Sequence, residues 1–426
     1  VKEATIILYG SLARHLDIGD QRIENTVARL LKALDTPSED VQYAVSECIA
    51  PLVQFTEDNL NDYFESLFEK LFSGNSIAER RGAAYGIAGL VKGYGIRALP
   101  EFDVIRNLTD ASDDNKDYKK REGVSFALEC LSQSLGALFE PYILEILPIL
   151  LKSFGDQSNE VREATSYAAK IFMKNTTSYG IKKMIPIAIA NLEDYQWRSK
   201  KGSVELLGSM AYLDPTQLSS SLPEIVPNIV QVMKDTHKEV RKAADSSLKK
   251  FGEVIRNPEI QALVQDLLNA IGDPTKYTDI ALEKLINTQF AHYIDGPSLA
   301  LIIHVIDRGM QDRSSTVKKR SSQIIGNMAI LVDSRDILPY LGKLVEELQT
   351  AIIDPVDETR SIASRALGSL VEKLGEDKFP GLIDNLMATL SDEERAGDRI
   401  GSAQALSEVL FGLGLSKLED MLPLIL

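Results

Sequence analysis

Apolar residues recur at helical spacing along the whole chain, in amphipathic blocks that alternate with short polar turns. Ile225, Val226, Ile229, Val230 and Met233 form one stripe, and Val240, Ala244, Leu248 and Phe251 form the next. Both read as helices that bury a single face. An aspartate opens the turn between such blocks at Asp35, Asp110, Asp156, Asp194, Asp235, Asp273, Asp312 and Asp354. Its carboxylate can accept backbone N–H bonds, which suits the start of the second helix. Pro148, Pro186 and Pro227 each stand eight residues before their aspartate. Proline removes a helix hydrogen bond, so the first helix of those units is expected to bend there.

Aligning the chain on itself exposes one register. An anchor residue, usually basic, is followed two positions later by a small residue. The anchors are Lys2, Gln42, Arg80, Arg121, Arg162, Lys200, Arg241, Asp279, Lys318, Arg360 and Arg399, with a mean spacing of 39.7 residues. The small positions include Ala44, Gly82, Gly123, Ala164, Gly202, Ala243, Ala281 and Gly401, and exceptions stand at Arg320 and Ile362. A small side chain at a fixed place on a helix lets its neighbour approach closely. The period, the paired helices and text such as DQSNEVREA ending at Ala164 and DPVDETRSIASRALGSL ending at Leu370 resemble the HEAT family.

The expected fold is therefore all-α: a right-handed superhelical HEAT-repeat solenoid of about eleven helical hairpins, each too small to bury its apolar face alone. Residues 1–426 are expected to be one continuous array, with partial repeats at 1–20 and 415–426. Neither end carries a polar cap, so the chain reads as an internal fragment of a longer protein. Anchors and turn aspartates recur in step, which predicts a structural ladder of ion pairs involving Arg121, Asp156, Arg162, Asp194, Asp235, Arg241, Asp354 and Arg360.

Charge separates a second set of residues. The formal net charge is −15, a field that disfavours DNA and anionic membranes as partners. Residues 181–256 nevertheless hold twelve Lys or Arg against nine Asp or Glu. Basic residues beside the anchors exceed what a ladder needs: Arg81, Lys119, Lys120, Arg198, Lys200, Lys201, Lys238, Lys242, Lys319 and Arg320. Repeating at one edge of each unit, they predict a ridge suited to phosphate contacts by point charges. Trp197, the only tryptophan, lies in this stretch, where it either covers an apolar seam or stacks on a nucleotide.

Catalytic and cofactor signatures are absent from the text. No Walker loop, nucleophile elbow, HExxH pair or kinase signature occurs. Cys48 and Cys130 have no CxxC spacing, and His15, His237, His292 and His304 are scattered in the register. Glu393, Glu394 and Asp398 read as a hydrated acidic turn. The expectation is a non-enzyme that binds no metal and no cofactor. No run of 18 apolar residues suggests a membrane span, and a cytoplasmic location is expected.

WRSKKGSVELLGSMA from Trp197 to Ala211 and LPEIVPNIVQVMKDTHKEVRKAA from Leu222 to Ala244 go beyond generic HEAT text. They are similar to the HEAT segment shared by fungal translation elongation factor three and the large general-control-nonderepressible translational activator. HYIDGPSLALI from His292 and MQDRSSTVKKRSSQIIGNM from Met310 resemble the activator family in particular. That resemblance implies a cytosolic, ribosome-binding scaffold that detects stalled or collided ribosomes and promotes the kinase of initiation factor two alpha during amino-acid starvation. Its implied partners are ribosomal RNA and ribosomal proteins, an ATP-binding-cassette protein, and the kinase through other parts of the full protein. Two alternatives stay open: an importin-type transport receptor, and the HEAT arm of a translation elongation ATPase.

Overall fold

Helix follows helix from Lys2 to Ile425 in this computed structural model, which describes residues 2–13, 15–17, 20, 22–194, 196–391 and 396–425. The side chain of the anchor Lys2, the ring of Tyr195 and the acidic turn at Glu393 and Glu394 lie outside the described residues. Among the described residues, ten helix pairs follow Lys2–Ala13 and precede Leu415–Ile425 in chain order. The described residues contain no strand, only an isolated bridge between Ile294 and Val332. Their contacts group into two units, Val1–Gln217 with Asp235–Ser247, and Leu218–Lys234 with Leu248–Leu426.

In the first unit, second helices pack in file. Glu39–Ile49 lies on Ile77–Tyr94, which lies on Tyr118–Leu135, which lies on Asn159–Asn175. The second unit repeats the arrangement with Pro274–Asn287, Ser315–Leu331, Asp357–Leu374 and Ala396–Leu413. The small residue two positions after the anchor makes this possible. A Cβ at Gly82 would stand 2.0 Å from the Leu34 carbonyl oxygen, one at Gly123 2.4 Å from that of Leu71, and one at Gly202 2.1 Å from that of Leu151. In the second unit a Cβ at Gly401 would meet the Ile352 carbonyl oxygen at 1.8 Å. Each second helix thus begins against the backbone at the end of the preceding pair's first helix. The apolar stripes then close over that contact: Leu34, Leu71, Ile87 and Leu90 are buried, and each fully buried aliphatic side chain contributes about 1.5–3 kcal/mol.

The turns are built by their aspartates. Asp156, Asp194, Asp235, Asp312 and Asp354 each accept the backbone N–H two residues on, at 2.8–3.0 Å. In the third pair Asp114, not Asp110, plays this part, accepting from Lys116 and Asp117 N–H. At the start of Ile77–Tyr94 the Ser76 hydroxyl accepts the Glu79 N–H, and the Glu79 carboxylate accepts the N–H of Asn75, the residue before the cap. Pro148, Pro186 and Pro227 do lie inside first helices, Ile143–Phe154, Ser178–Ala190 and Pro215–Val232.

One stretch, Tyr118–Phe154, is long and apolar enough by composition to cross a membrane, contrary to the expectation from the text. It is not one helix. Gly136, at φ +55, and a 3-10 segment Gly136–Tyr142 divide it into two, both packed into the first unit's core.

Candidate functional site

From Gln42 to Arg399, all but one of the described anchors occupy the fourth residue of a second helix, beside the turn that precedes it. Asp279, after Pro274, is shifted. From this place a long basic side chain can reach either back to its own turn or across to the next turn aspartate. Both occur. Arg121 Nε and Nη2 donate to Asp156 at 2.7 and 3.1 Å, Lys200 Nζ to Asp235 at 2.8 Å, and Lys318 Nζ lies 3.5 Å from Asp354. Arg162, Arg241 and Arg360 instead fold back, each Nη1 donating to the carbonyls six and five residues earlier.

The expected continuous ladder is therefore interrupted, and chain separation explains where. Crossing pairs are 35 or 36 residues apart, whereas Arg162 and Asp194 are only 32 apart. Asp194 binds the Gln196 N–H in its own turn. Burial alone would raise the Asp235 carboxyl, but the Lys200 ammonium and the His237 N–H hold it below the usual carboxylate range. Gln42, a neutral anchor, reaches the carbonyls of Leu34, Thr36 and Ala78 and so does the stitching without charge.

The basic residues beside the anchors divide similarly. Arg81 is no spare charge: its guanidinium binds Glu39 at 2.7 Å and Glu129 at 3.4 Å and lies 4.8 Å from the Phe126 ring centroid. Glu39 and Glu129 stand on the neighbouring second helices, so stacking encloses Arg81. Arg80 is buried against Glu122 and the Gly74 carbonyl. Burial pushes the Glu129 carboxyl up to about 7, against the pull of Arg81. In the second unit, Lys319 binds Glu358 at 3.1 Å and Arg320 binds Asp279; both are ladder charges of an extra kind. Lys120 binds Asp114 at 2.9 Å, and Lys242 binds Glu239 at 2.9 Å one turn along its exposed helix face.

Four of the predicted cations make no ion pair among the described residues: Lys119, Arg198, Lys201 and Lys238. Arg198 and Lys238 are exposed, Lys119 and Lys201 half-buried. Three of these four come together at two successive second-helix starts, Trp197–Ser209 and Lys238–Glu253, beside the ion-paired Lys200 and Lys242. Trp197 joins the two starts. Its ring stacks on His237 with centroids 4.1 Å apart and planes 8° apart, and the Arg198 guanidinium lies 4.6 Å from its centroid. His237 Nδ1 accepts the Glu239 N–H, which fixes the ring at the helix start. The tryptophan is thus half-buried packing that carries an exposed arginine.

The described residues contain no group of three or more His, Cys, Asp or Glu placed to hold a metal. What the cluster offers is a set of point charges and a flat cation–aromatic stack.

Comparison with known proteins places this surface in context. The EF3 N-terminal HEAT repeat family matches residues 80–248, and the Elongation factor 3/GNC1 HEAT repeat family matches residues 277–380. The chain is similar to the eIF-2-alpha kinase activator GCN1 of Saccharomyces cerevisiae, 62% identical over 427 residues that cover 100% of this chain and 16% of that protein. It is also similar to the stalled ribosome sensor GCN1 of Homo sapiens, 46% identical over 423 residues, covering 99% and 16%. The chain thus spans about a sixth of the length of these curated relatives. Among solved structures it is similar to importin beta, with a TM-score of 0.39 and 13% identity, covering 100% of this chain and 58% of that one.

Proposed function

Because the chain belongs to the HEAT-repeat family of GCN1 and elongation factor 3, we propose that it is a non-catalytic segment through which a larger cytoplasmic scaffold of translational control docks on the ribosome. The observation that carries this reading is the cluster of Arg198, Lys201 and Lys238, without ion pairs among the described residues, at two successive helix starts of an otherwise acidic protein. Phosphate contacts through such side chains position a protein on RNA without reading its bases, and they release counterions, so binding weakens steeply with salt. Relatives named as a stalled ribosome sensor and as an activator of the eIF-2-alpha kinase support the same setting. In this reading the scaffold reports a stalled or collided ribosome to that kinase, which other parts of the full protein engage together with an ATP-binding-cassette partner.

The test is ribosome co-sedimentation of the chain across a salt series. Reversing Arg198, Lys201 and Lys238 to Glu should cut ribosome binding about tenfold at ~0.1 M salt and flatten its salt dependence. A folded variant that binds as the wild type does would sink the reading.

A further inference from the structure

Beside the exposed cations, on the flank of the second helices of the first unit, lies a hollow of about 360 Å³ between Asn159–Asn175 and Trp197–Ser209. Arg162, Lys170 and Lys201 line it, with Tyr167 and Tyr212. Neither Lys170 nor Lys201 makes an ion pair among the described residues. Lys170 Nζ is instead held 4.8 Å from the Tyr212 ring centroid. Arg162 is fixed by its own turn carbonyls and Asn159. Arg162 and Lys170 are therefore held at the hollow by neutral partners, with Lys201 beside them.

We infer that this hollow seats one backbone phosphate of unpaired RNA against Lys170, Lys201 and Arg162, with the adjoining base stacked on Tyr167. Charge selects the ligand. Glu163 and Glu205 also line the hollow, so three positive charges meet two negative ones and the net is +1. That matches the single charge of a phosphodiester, whereas a phosphorylated side chain carries about −1.5 to −2. Glu163 is itself bound by Asn159 Nδ2. Tyr167 is nearly half exposed, and Arg81 stands 5.9 Å from its centroid, so its ring is both presented and steadied. A phosphate cradle beside an open aromatic face is the arrangement used to bind single strands without sequence preference. Burial, and then the Arg162 charge, push the Lys201 ammonium below the ordinary lysine range, against the opposing pull of Glu205 and Glu239.

The inference rests on the ribosome reading but can fail separately. The full chain would be titrated into a fluorescein-labelled single-stranded RNA of about twelve nucleotides, and into a phosphoserine peptide of equal net charge, with circular dichroism melts confirming that each variant is folded. Lys170→Gln with Lys201→Gln should weaken RNA binding about tenfold at ~0.1 M salt. Tyr167→Ala should weaken it at least about fivefold, and Tyr167→Phe should not, because stacking needs only the ring. RNA binding unchanged in these variants, or absent in the wild type, overturns the inference. Salt-dependent ribosome co-sedimentation through Arg198 and Lys238 would meanwhile still stand. Tighter, lysine-dependent binding of the phosphopeptide overturns it as well.

Discussion

Removing one member of the Arg121–Asp156 pair would leave its partner without its counter-charge, since these side chains are only 11% and 8% exposed. The pair is bidentate and also ties Arg121 to the Asp114 carbonyl. Arg121→Ala should therefore lose about 3 kcal/mol in urea unfolding, near the cost of breaking a buried pair. Lys319→Ala should lose less than about 0.5 kcal/mol, because Glu358 is two-thirds exposed and water screens the contact. Similar losses from the two would show that the crossing pairs carry no special load. The buried carboxyls make a second prediction. Glu129 in the first unit is pushed up to about 7 by burial, and Glu347 in the second likewise by burial and then Asp307, with Lys343 opposing. A folded-state pKa raised above the ordinary 4.5 means that the folded chain holds the proton more tightly. That stabilisation is full below about 4.5 and is lost as pH rises through about 7. The melting temperature should fall from pH 5 to pH 8, and Glu129→Gln with Glu347→Gln should fall less; parallel curves would refute the assignment.

At the scale of the helix, close approach decides stability. Gly202→Ala would drive a methyl group to 2.1 Å from the Leu151 carbonyl oxygen, so the second helix must shift or its first turn must open. A loss of about 2–3 kcal/mol is expected. Gly342, inside Ser334–Ala351, has nothing within 4 Å of the same position. Gly342→Ala should instead gain about 0.5–1 kcal/mol from reduced chain entropy. Thermal melts of the two variants moving in the same direction would contradict the packing account. The helix pairs, the anchor at the fourth residue and the small residue after it were legible in the text, because a 39.7-residue period repeats one local packing problem. Partner choice was less legible. Whether an anchor crosses or folds back depends on a difference of 35 or 36 against 32 residues, visible in the sequence but meaningless without the geometry. Arg81 looked spare because Glu39 and Glu129 belong to neighbouring repeats. Their separation of roughly one repeat was the signal available. Asp114 was legible: it stands seven residues before Arg121, as Asp35 stands before Gln42, whereas Asp110 stands eleven before it.

For the whole molecule, charge is unevenly placed. In a chain of net charge −15, Lys119, Arg198, Lys201 and Lys238, which make no ion pair among the described residues, stand at the starts of Tyr118–Leu135, Trp197–Ser209 and Lys238–Glu253. The pairing of Arg81, Lys120, Lys200, Lys242, Lys319 and Arg320 narrows the surface first expected from sequence to fewer residues. Contacts of this kind are individually weak and collectively strong in low salt, so loss of any single lysine should be nearly silent. The most direct measurement is a map of the full-length protein bound to a ribosome, at a resolution that places side chains. The account predicts that Arg198, Lys201 and Lys238 face ribosomal RNA within contact distance, with Trp197 and His237 behind them. A map in which these helix starts face solvent while an acidic face of the chain meets the ribosome would contradict it.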